Sequence, residues 1–593
     1  MANFFDKFKV KTAIDSRSKF DLSCDHVSTA NFMQFNVAYS KELVPTEKLT
    51  VNMETFTRLQ PMPVPTFGRA KVNNRAFFVP YRTIFPGWND FITDTAHTTA
   101  TGLSTRANFV PTVSASVITR TFITGLPNNV GAGFLPLIQQ ITDEESIRIG
   151  AYDLVRIIAG ETVYYKFTTL GRQIAKILNS LGYQVSLYDS NAVYSALPLL
   201  AVAKIYCDWY YPSAYAQSQE IADVEGLFKL DDGSQVSLDS NKLGDIFRLL
   251  TNVNYDSDYF VSAWDNPVAP NGDNTYSTMS VNNETELGRG QFIDNVTRVE
   301  NENATGTPAI VGSSITQFTV DVLKSLTDYM KRHQIVGARA LDRYLSRFGI
   351  QLSAEKLNRS IYIGSTAEDI QFGDVMSTSN TDTGRVGDYA GKGLGYGTSD
   401  FECDTDEYGI FLVISSIIPR TGYFQGVNRN VMHVTRTDFW TPEFDNLGTQ
   451  AISKHEVFVP YDTTVDGYTA TSYNELFGFT PRYAEYKVGR DILSGDFRCG
   501  SINNGAESWH TMRVLDYENY EDVVHSRDFV SGTDADQYSR IFYNVDADSS
   551  DKFNVIYHFN VTSLAPMKPL FDTYDFEDKG KDVIMDVNGV KMN

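Results

Sequence analysis

Runs rich in β-branched and aromatic residues recur along the chain, at RAFFVPY (75–81), YGIFLVISSIIP (408–419), HEVFVPY (455–461) and KFNVIYHFNVTSL (552–564). Clusters of Gly, Pro, Asn and Asp separate them, which is the pattern of antiparallel β structure with long connections. Three segments carry a helical pattern instead: 167–182, 196–210 and 321–349. In the last, Leu323, Leu326, Met330 and Gln334 fall near one face, with Lys324, Asp328, Lys331 and Arg332 elsewhere, as an amphipathic helix requires. Gly337 is placed to divide it. The expected fold is therefore mainly β, with a few helices.

Between these elements, 98–162 and 266–318 are rich in Thr, Asn, Ser and Gly and show weak periodicity. They are expected to be insertions laid over the core, and 216–245 and 376–402 are expected to be further loops. No repeat of fixed period is present.

The 593 residues, 42% hydrophobic and 13% aromatic, suffice for a large buried core. Length alone sets the domain count only loosely, since all-β units with inserted loops grow large. The longest strongly apolar stretch, GIFLVISSIIP, is too short to span a bilayer, and the N-terminus lacks the apolar run of a secretory signal. The expectation is a protein made in a cytoplasm, with no membrane insertion. The four cysteines, Cys24, Cys207, Cys403 and Cys499, are far apart, which fits free thiols in a reduced compartment.

A formal charge of −22 argues against a surface that is basic all round, so any nucleic acid must be met locally. Residues 1–20 supply one local excess: Lys7, Lys9, Lys11, Arg17 and Lys19 stand against Asp6 and Asp15. Such an arm can lie on phosphates. A solvated, flexible terminus explains the same residues.

Catalytic and cofactor motifs do not appear. There is no GxxxxGK[ST], HExxH, GxSxG or CxxC. Gly391, Gly393, Gly395 and Gly397 superficially resemble a phosphate-binding loop, but an acidic stretch and a strand follow where a helix is required, so a surface loop is expected. In 544–555, Asn544, Asp546 and Asp548 alternate as in a calcium loop, yet Ser549 and Val555 replace its Gly and Glu; a solvated acidic turn is expected. Cys24 and His26 have no second pair at ligand spacing. No metal, cofactor or catalytic residue is assigned, and the chain is not expected to be an enzyme.

Several blocks occur in a fixed order: FDLSC (20–24), ELVPTEKLTV through WNDFI (42–92), LPLLAVAKIYCDWYYP (197–212), NYDSDYFVSAWDNP (254–267), ARALDRYLSRFGIQLSAEKLNRSIYIGS (338–365), YGIFLVISSIIPRTGYFQGVNR (408–429), FWTPEFDNLGTQAI (439–452) and GFTPRYAEYKVGRDILSGDFR (478–498). Together they resemble the major capsid proteins of microviruses, in the gokushovirus-like branch, and cover about half the chain. Departures at AWDNP (263–267) and at 338–344 place it in a divergent branch, with a host among the Bacteroidetes as the expectation. The resemblance implies an eight-stranded antiparallel jelly roll with long inserted loops. It implies self-assembly into a T=1 icosahedral shell around circular single-stranded DNA held on the inner face. It also implies a small basic DNA-binding phage protein, a minor pilot or spike protein and a host surface receptor as partners.

Contacts between subunits favour aromatic side chains. The candidates are Phe77, Phe78, Tyr81, Trp88, Phe439, Trp440, Phe444, Tyr483 and Tyr486, each of which can equally serve core packing within one subunit. The DNA-contact candidates are the five basic residues of the arm. The rival reading is a carbohydrate-binding or carbohydrate-cleaving β-sandwich, which shares the aromatic, acidic, loop-rich composition.

Overall fold

Eleven strands and two helices frame the molecule: β1 (Ser18–Asp21), β2 (Cys24–Ala30), β3 (Asn36–Leu43), β4 (Glu47–Leu59), β5 (Ala70–Pro80), α1 (Thr169–Ser180), α2 (Leu197–Ile205), β6 (Ile361–Met376), β7 (Tyr389–Thr405), β8 (Gly409–Pro419), β9 (Thr449–Ser453), β10 (Leu476–Pro481) and β11 (Phe553–Ala565). The structure, a computed structural model, describes residues 17–85, 87–94, 97–98, 104–105, 110–114, 138–141, 154–158, 161–167, 169–183, 192–211, 243–244, 246–247, 250, 252–264, 345, 348–350, 358–376, 389–434, 436, 438–445, 449–460, 465–468, 475–498, 506–543 and 551–567.

The main sheet is antiparallel and runs in the order β1–β11–β4–β7–β6–β5–β8–β3. β2 lies end to end with β1 along the same side of β11, so the two fill one lane of eight. The β6–β7 hairpin folds this ribbon into two layers. β6 pairs with β5 through Ile361–Ile370 and with β7 only through Ile370–Met376. β7 in turn pairs with β4 from Leu394 onward. The layers are β1/β2–β11–β4–β7 and β6–β5–β8–β3, the arrangement of a jelly-roll sandwich.

The burial pattern separates the two layers. Every residue of β8 is buried, because the sheet is covered on both faces there. One face meets the other layer, where Tyr39 packs against Phe411 and Phe559 with ring centroids 6.2 and 4.8 Å away. Across the other face lie α2 and its π-helical continuation Tyr206–Tyr210, with Trp209 and Tyr210 against Phe77. In β11, by contrast, burial alternates strictly, and β4 follows the same alternation. Their layer has one face in the core and one in solvent.

The helices expected at 167–182 and 196–210 are α1 and α2. The segment 321–349 lies outside the described residues except Leu345, which is helical, and Phe348 and Gly349, which form a turn. Three expectations are corrected. HEVFVPY is not a strand: Lys454–Val457 form a helical turn, started by the Ser453 N–H donating to Glu456 Oε1 at 3.1 Å. The glycine run at 391–397 is not a loop but part of β7. Asp551 is not a solvated turn residue but is buried and ion-paired. The segment expected to be an insertion at 98–162 contains the short strands Ile138–Ile141 and Leu154–Ile158, which form a separate sheet with Glu161–Phe167 at its end. Residues 266–318 lie outside the described part of the chain.

Candidate interaction surfaces

β9 and β10 pair antiparallel from Thr449–Pro481 inward, and so bring together the segments on either side of them, 429–445 and 482–492. Gln450 of β9 holds the second segment: its Oε1 accepts from the Tyr483 N–H at 2.9 Å and its amide donates to Glu485. Tyr483 is buried at φ +61°, a left-handed conformation uncommon for a non-glycine residue, and its hydroxyl meets Thr441 Oγ1 at 3.2 Å. His433 stacks on Tyr486, packs edge-on against Phe439 and lies 3.4 Å from Glu485 Oε1.

This lobe leaves seven large apolar side chains in solvent: Val431, Val434, Phe439, Trp440, Tyr486, Val488 and Ile492, with Val434 85% and Trp440 47% exposed. Several of its charges are paired within the chain. Arg429 donates to Glu456 at 2.7 Å, Lys487 to Asp445 at 2.6 Å and Arg420 to Asp491 at 3.4 Å. Beside the patch opens a cavity of about 280 Å³, lined by Tyr259, Phe260, Tyr423, Arg429, Glu456 and Val488 among others. A large exposed apolar patch next to a cavity is the anatomy of a protein contact.

The aromatic candidates divide by burial. Phe439, Trp440 and Tyr486 are on the lobe surface. Phe77, Phe78, Tyr81, Trp88 and Tyr483 are buried within the chain, in core packing. Phe77 faces α2 and its continuation; Phe78, paired with Phe411, faces the interior; Tyr81 and Trp88 pack edge to face at 4.7 Å. Phe444 falls in a short 3₁₀ turn, Pro442–Phe444.

Of the basic arm, Lys7, Lys9 and Lys11 lie outside the described residues. Arg17 is exposed at the root of β1, and Lys19 is exposed within it, paired in register with Leu564 on the solvent side of β11.

The same bare face of the β1/β2–β11–β4–β7 layer carries residues that sequence reasoning missed. Val27, Ile556, Phe56 and Tyr396 stand opposite one another on four neighbouring strands and form one apolar row across the sheet. The signal was present in the sequence. Ile556 interrupts the outward series Asn554, His558 and Asn560, and Lys392, Leu394 and Tyr396 alternate with glycines.

Among the described residues no group of three or more His, Cys, Asp or Glu is arranged to hold a metal ion. His26 Nδ1 donates instead to the Ala38 carbonyl at 2.7 Å. Cys24, Cys207 and Cys403 are free thiols, and Cys499 lies outside the described residues. No helix among the described residues is long and apolar enough to cross a membrane.

The family model described as "Capsid protein (F protein)" matches residues 8–133 and 170–573. The chain is 22% identical over 545 residues to "Capsid protein VP1" of Chlamydia phage 1, covering 86% of this chain and 88% of that protein. It is 23% identical over 517 residues to "Capsid protein VP1" of Bdellovibrio phage phiMH2K, covering 85% of each. Both are microvirus proteins, and the β-sandwich is the fold expected from the resemblance. With the family matched over most of its length, this chain belongs to the phage capsid protein (F protein) family.

Proposed function

We propose that this structural major capsid protein closes a T=1 icosahedral shell by joining copies of itself through the lobe of 429–445 and 482–492, around circular single-stranded DNA. The observation that carries the reading is the set of seven exposed apolar side chains on the lobe, with Arg429 and Lys487 already paired within the chain. Copies that each bear a net charge of −22 repel one another, and meet best where local charge is balanced.

A small basic phage protein completes neutralisation of the genome, since the chain itself is acidic. A minor pilot or spike protein and a host surface receptor complete the set of partners, with the insertions at 98–162 and 266–318 as the receptor-facing segments. The subunit is made in the bacterial cytoplasm, becomes part of the virion, inserts in no membrane and performs no catalytic step. A carbohydrate-directed role is not favoured, given relatives named as capsid proteins over nearly their whole length.

The test is expression of the chain with its neighbouring phage genes, followed by sedimentation and negative-stain electron microscopy. Wild type is expected to give uniform particles. The Phe439→Glu/Trp440→Glu variant is expected to stay folded and monomeric. Particles of normal yield from that variant would overturn the role of the lobe.

A further inference from the structure

We infer that the bare face of the β1/β2–β11–β4–β7 layer is a single-stranded DNA platform, on which unpaired bases stack against Phe56 and Tyr396 while Arg58 and Lys392 hold the flanking phosphates. This deepens the capsid reading and rests on it.

The strand registers build the surface. Ile556 stands opposite Val27 on one side and Phe56 on the other, and Phe56 stands opposite Tyr396. Burial alternates along β4 and β11, so all four side chains leave the sheet on its solvent side. Val27 is 73% exposed and Tyr396 59% exposed, while Phe56 and Ile556 are half-buried between them. In the adjacent row Asn554 pairs with Arg58, and Arg58 with Leu394, which is also exposed.

The Arg58 guanidinium lies 5.0 Å from the centre of the Phe56 ring, ready to extend a stack as a second planar group. Neither Arg58 nor Lys392 has an ion-pair partner among the described residues. Acidic groups on this face begin in the next row on the side away from Arg58, where Glu54 stands opposite His558 and Thr398, with Asp400 in the row beyond; Glu402 is engaged by Lys48, and Asp25 by His558 at 2.7 Å. On its Arg58 side the apolar row is therefore flanked by Arg58 and Lys392, two cations without an ion-pair partner among the described residues.

A second observation points the same way. Arg17 and Lys19, at the root of the arm that carries Lys7, Lys9 and Lys11, emerge at the edge of this layer, beside β11. A chain of net charge −22 thus sets cations at both ends of one sheet face, Arg58 and Lys392 beside the exposed aromatic rings and Arg17 and Lys19 at the far end. Rings that accept any base and cations that follow the backbone make a sequence-tolerant single-strand surface. A duplex hides its base faces, so stacking predicts a preference for single strands.

The test uses the full-length soluble chain, freed of nucleic acid, and a fluorescent oligodeoxythymidylate of about 20 nucleotides, within reach of a few such sites. Anisotropy titrations compare wild type with Phe56→Ala/Tyr396→Ala, Arg58→Ala/Lys392→Ala and, as a control in the polar rows, Asn52→Ala/Asn560→Ala. Wild type is expected to bind the single strand more tightly than a duplex of the same length. The aromatic variant is expected to lose about tenfold or more in affinity. The cation variant should bind more weakly and with a shallower salt dependence, by about 0.7 for each phosphate no longer neutralised. The polar control should stay within about twofold of wild type, as expected for surface changes away from the bound strand.

Equal binding of single strand and duplex, or unchanged affinity in the aromatic variant, would overturn the inference. So would loss of particles in the aromatic variant with oligonucleotide binding intact, which would make this face a contact between copies. The Phe439→Glu/Trp440→Glu chain separates the two proposals: it is expected to bind the oligonucleotide normally while forming no particles.

Discussion

Gly391 owes its identity to a neighbouring backbone, since a Cβ there would stand 2.5 Å from the Val64 carbonyl oxygen. Gly397 is less constrained, because its added carbon would meet the movable carboxylate end of Glu368. Gly391→Val is therefore expected to cost about 1–3 kcal/mol of stability, the usual range for overpacking. Gly397→Ala should cost less, and denaturant unfolding of both variants measures the difference.

Asp551 makes a different residue-scale case. It takes a hydrogen bond from the Lys176 ammonium at 3.0 Å, one from the Asn31 amide at 3.3 Å and one from the Thr29 hydroxyl, with Arg172 at 4.0 Å. Burial pushes its carboxyl up, but Lys176, Thr29 and Arg172 outweigh that and hold it below the usual value. Its stabilising contribution is present above the unfolded carboxyl value of about 3.9 and is lost as pH falls through the lowered folded value. Asp551→Ala is expected to destabilise by about 3–5 kcal/mol, because it strands Lys176 in the interior. The variant should also lose part of the acid-induced fall in melting temperature seen in wild type; an unchanged profile would count against this role. None of this was legible in the sequence, where Asp551 ends an acidic run and its partners lie hundreds of residues away.

At the scale of elements, long regular segments were legible and short ones were not. The apolar run of β8 and the mixed pattern of β11 both read as strands, and the two helical patterns at 167–182 and 196–210 formed helices. What each run could not convey was how many of its faces would be covered. β8 is buried on both faces and β11 on one, so Phe411→Ala should cost about 3–5 kcal/mol and Asn560→Ala no more than about 0.5 kcal/mol. Thermal melting of the two variants checks the contrast.

HEVFVPY misled because its β-rich composition competes with a local signal, the Ser453–Glu456 pair that starts a helical turn. The glycine run misled for the opposite reason. Glycine reads as a breaker, yet here β7 alternates glycine inward and larger residues outward, with Gly391, Gly393 and Gly395 buried and Lys392, Leu394 and Tyr396 in solvent. The row containing Tyr396 emerges only when registers align four strands drawn from both ends of the chain.

For the whole molecule, the jelly roll assigns different work to its two layers. In the β6–β5–β8–β3 layer β8 is covered on both faces, while the β1/β2–β11–β4–β7 layer leaves one face open. The lobe beside β9 and β10 exposes Phe439, Trp440 and Tyr486, the aromatics proposed to meet a neighbouring copy. The family and the fold were readable from collinear sequence blocks, whereas the division of candidate aromatics into core and surface needed burial. Cryo-electron microscopy of particles purified after co-expression with the neighbouring phage genes tests the central claim most directly. The expected result is a closed icosahedral shell in which Val434, Phe439, Trp440 and Tyr486 are buried between neighbouring copies. A shell in which those four side chains remain in solvent, or a chain that forms no closed particle under any such condition, would contradict it.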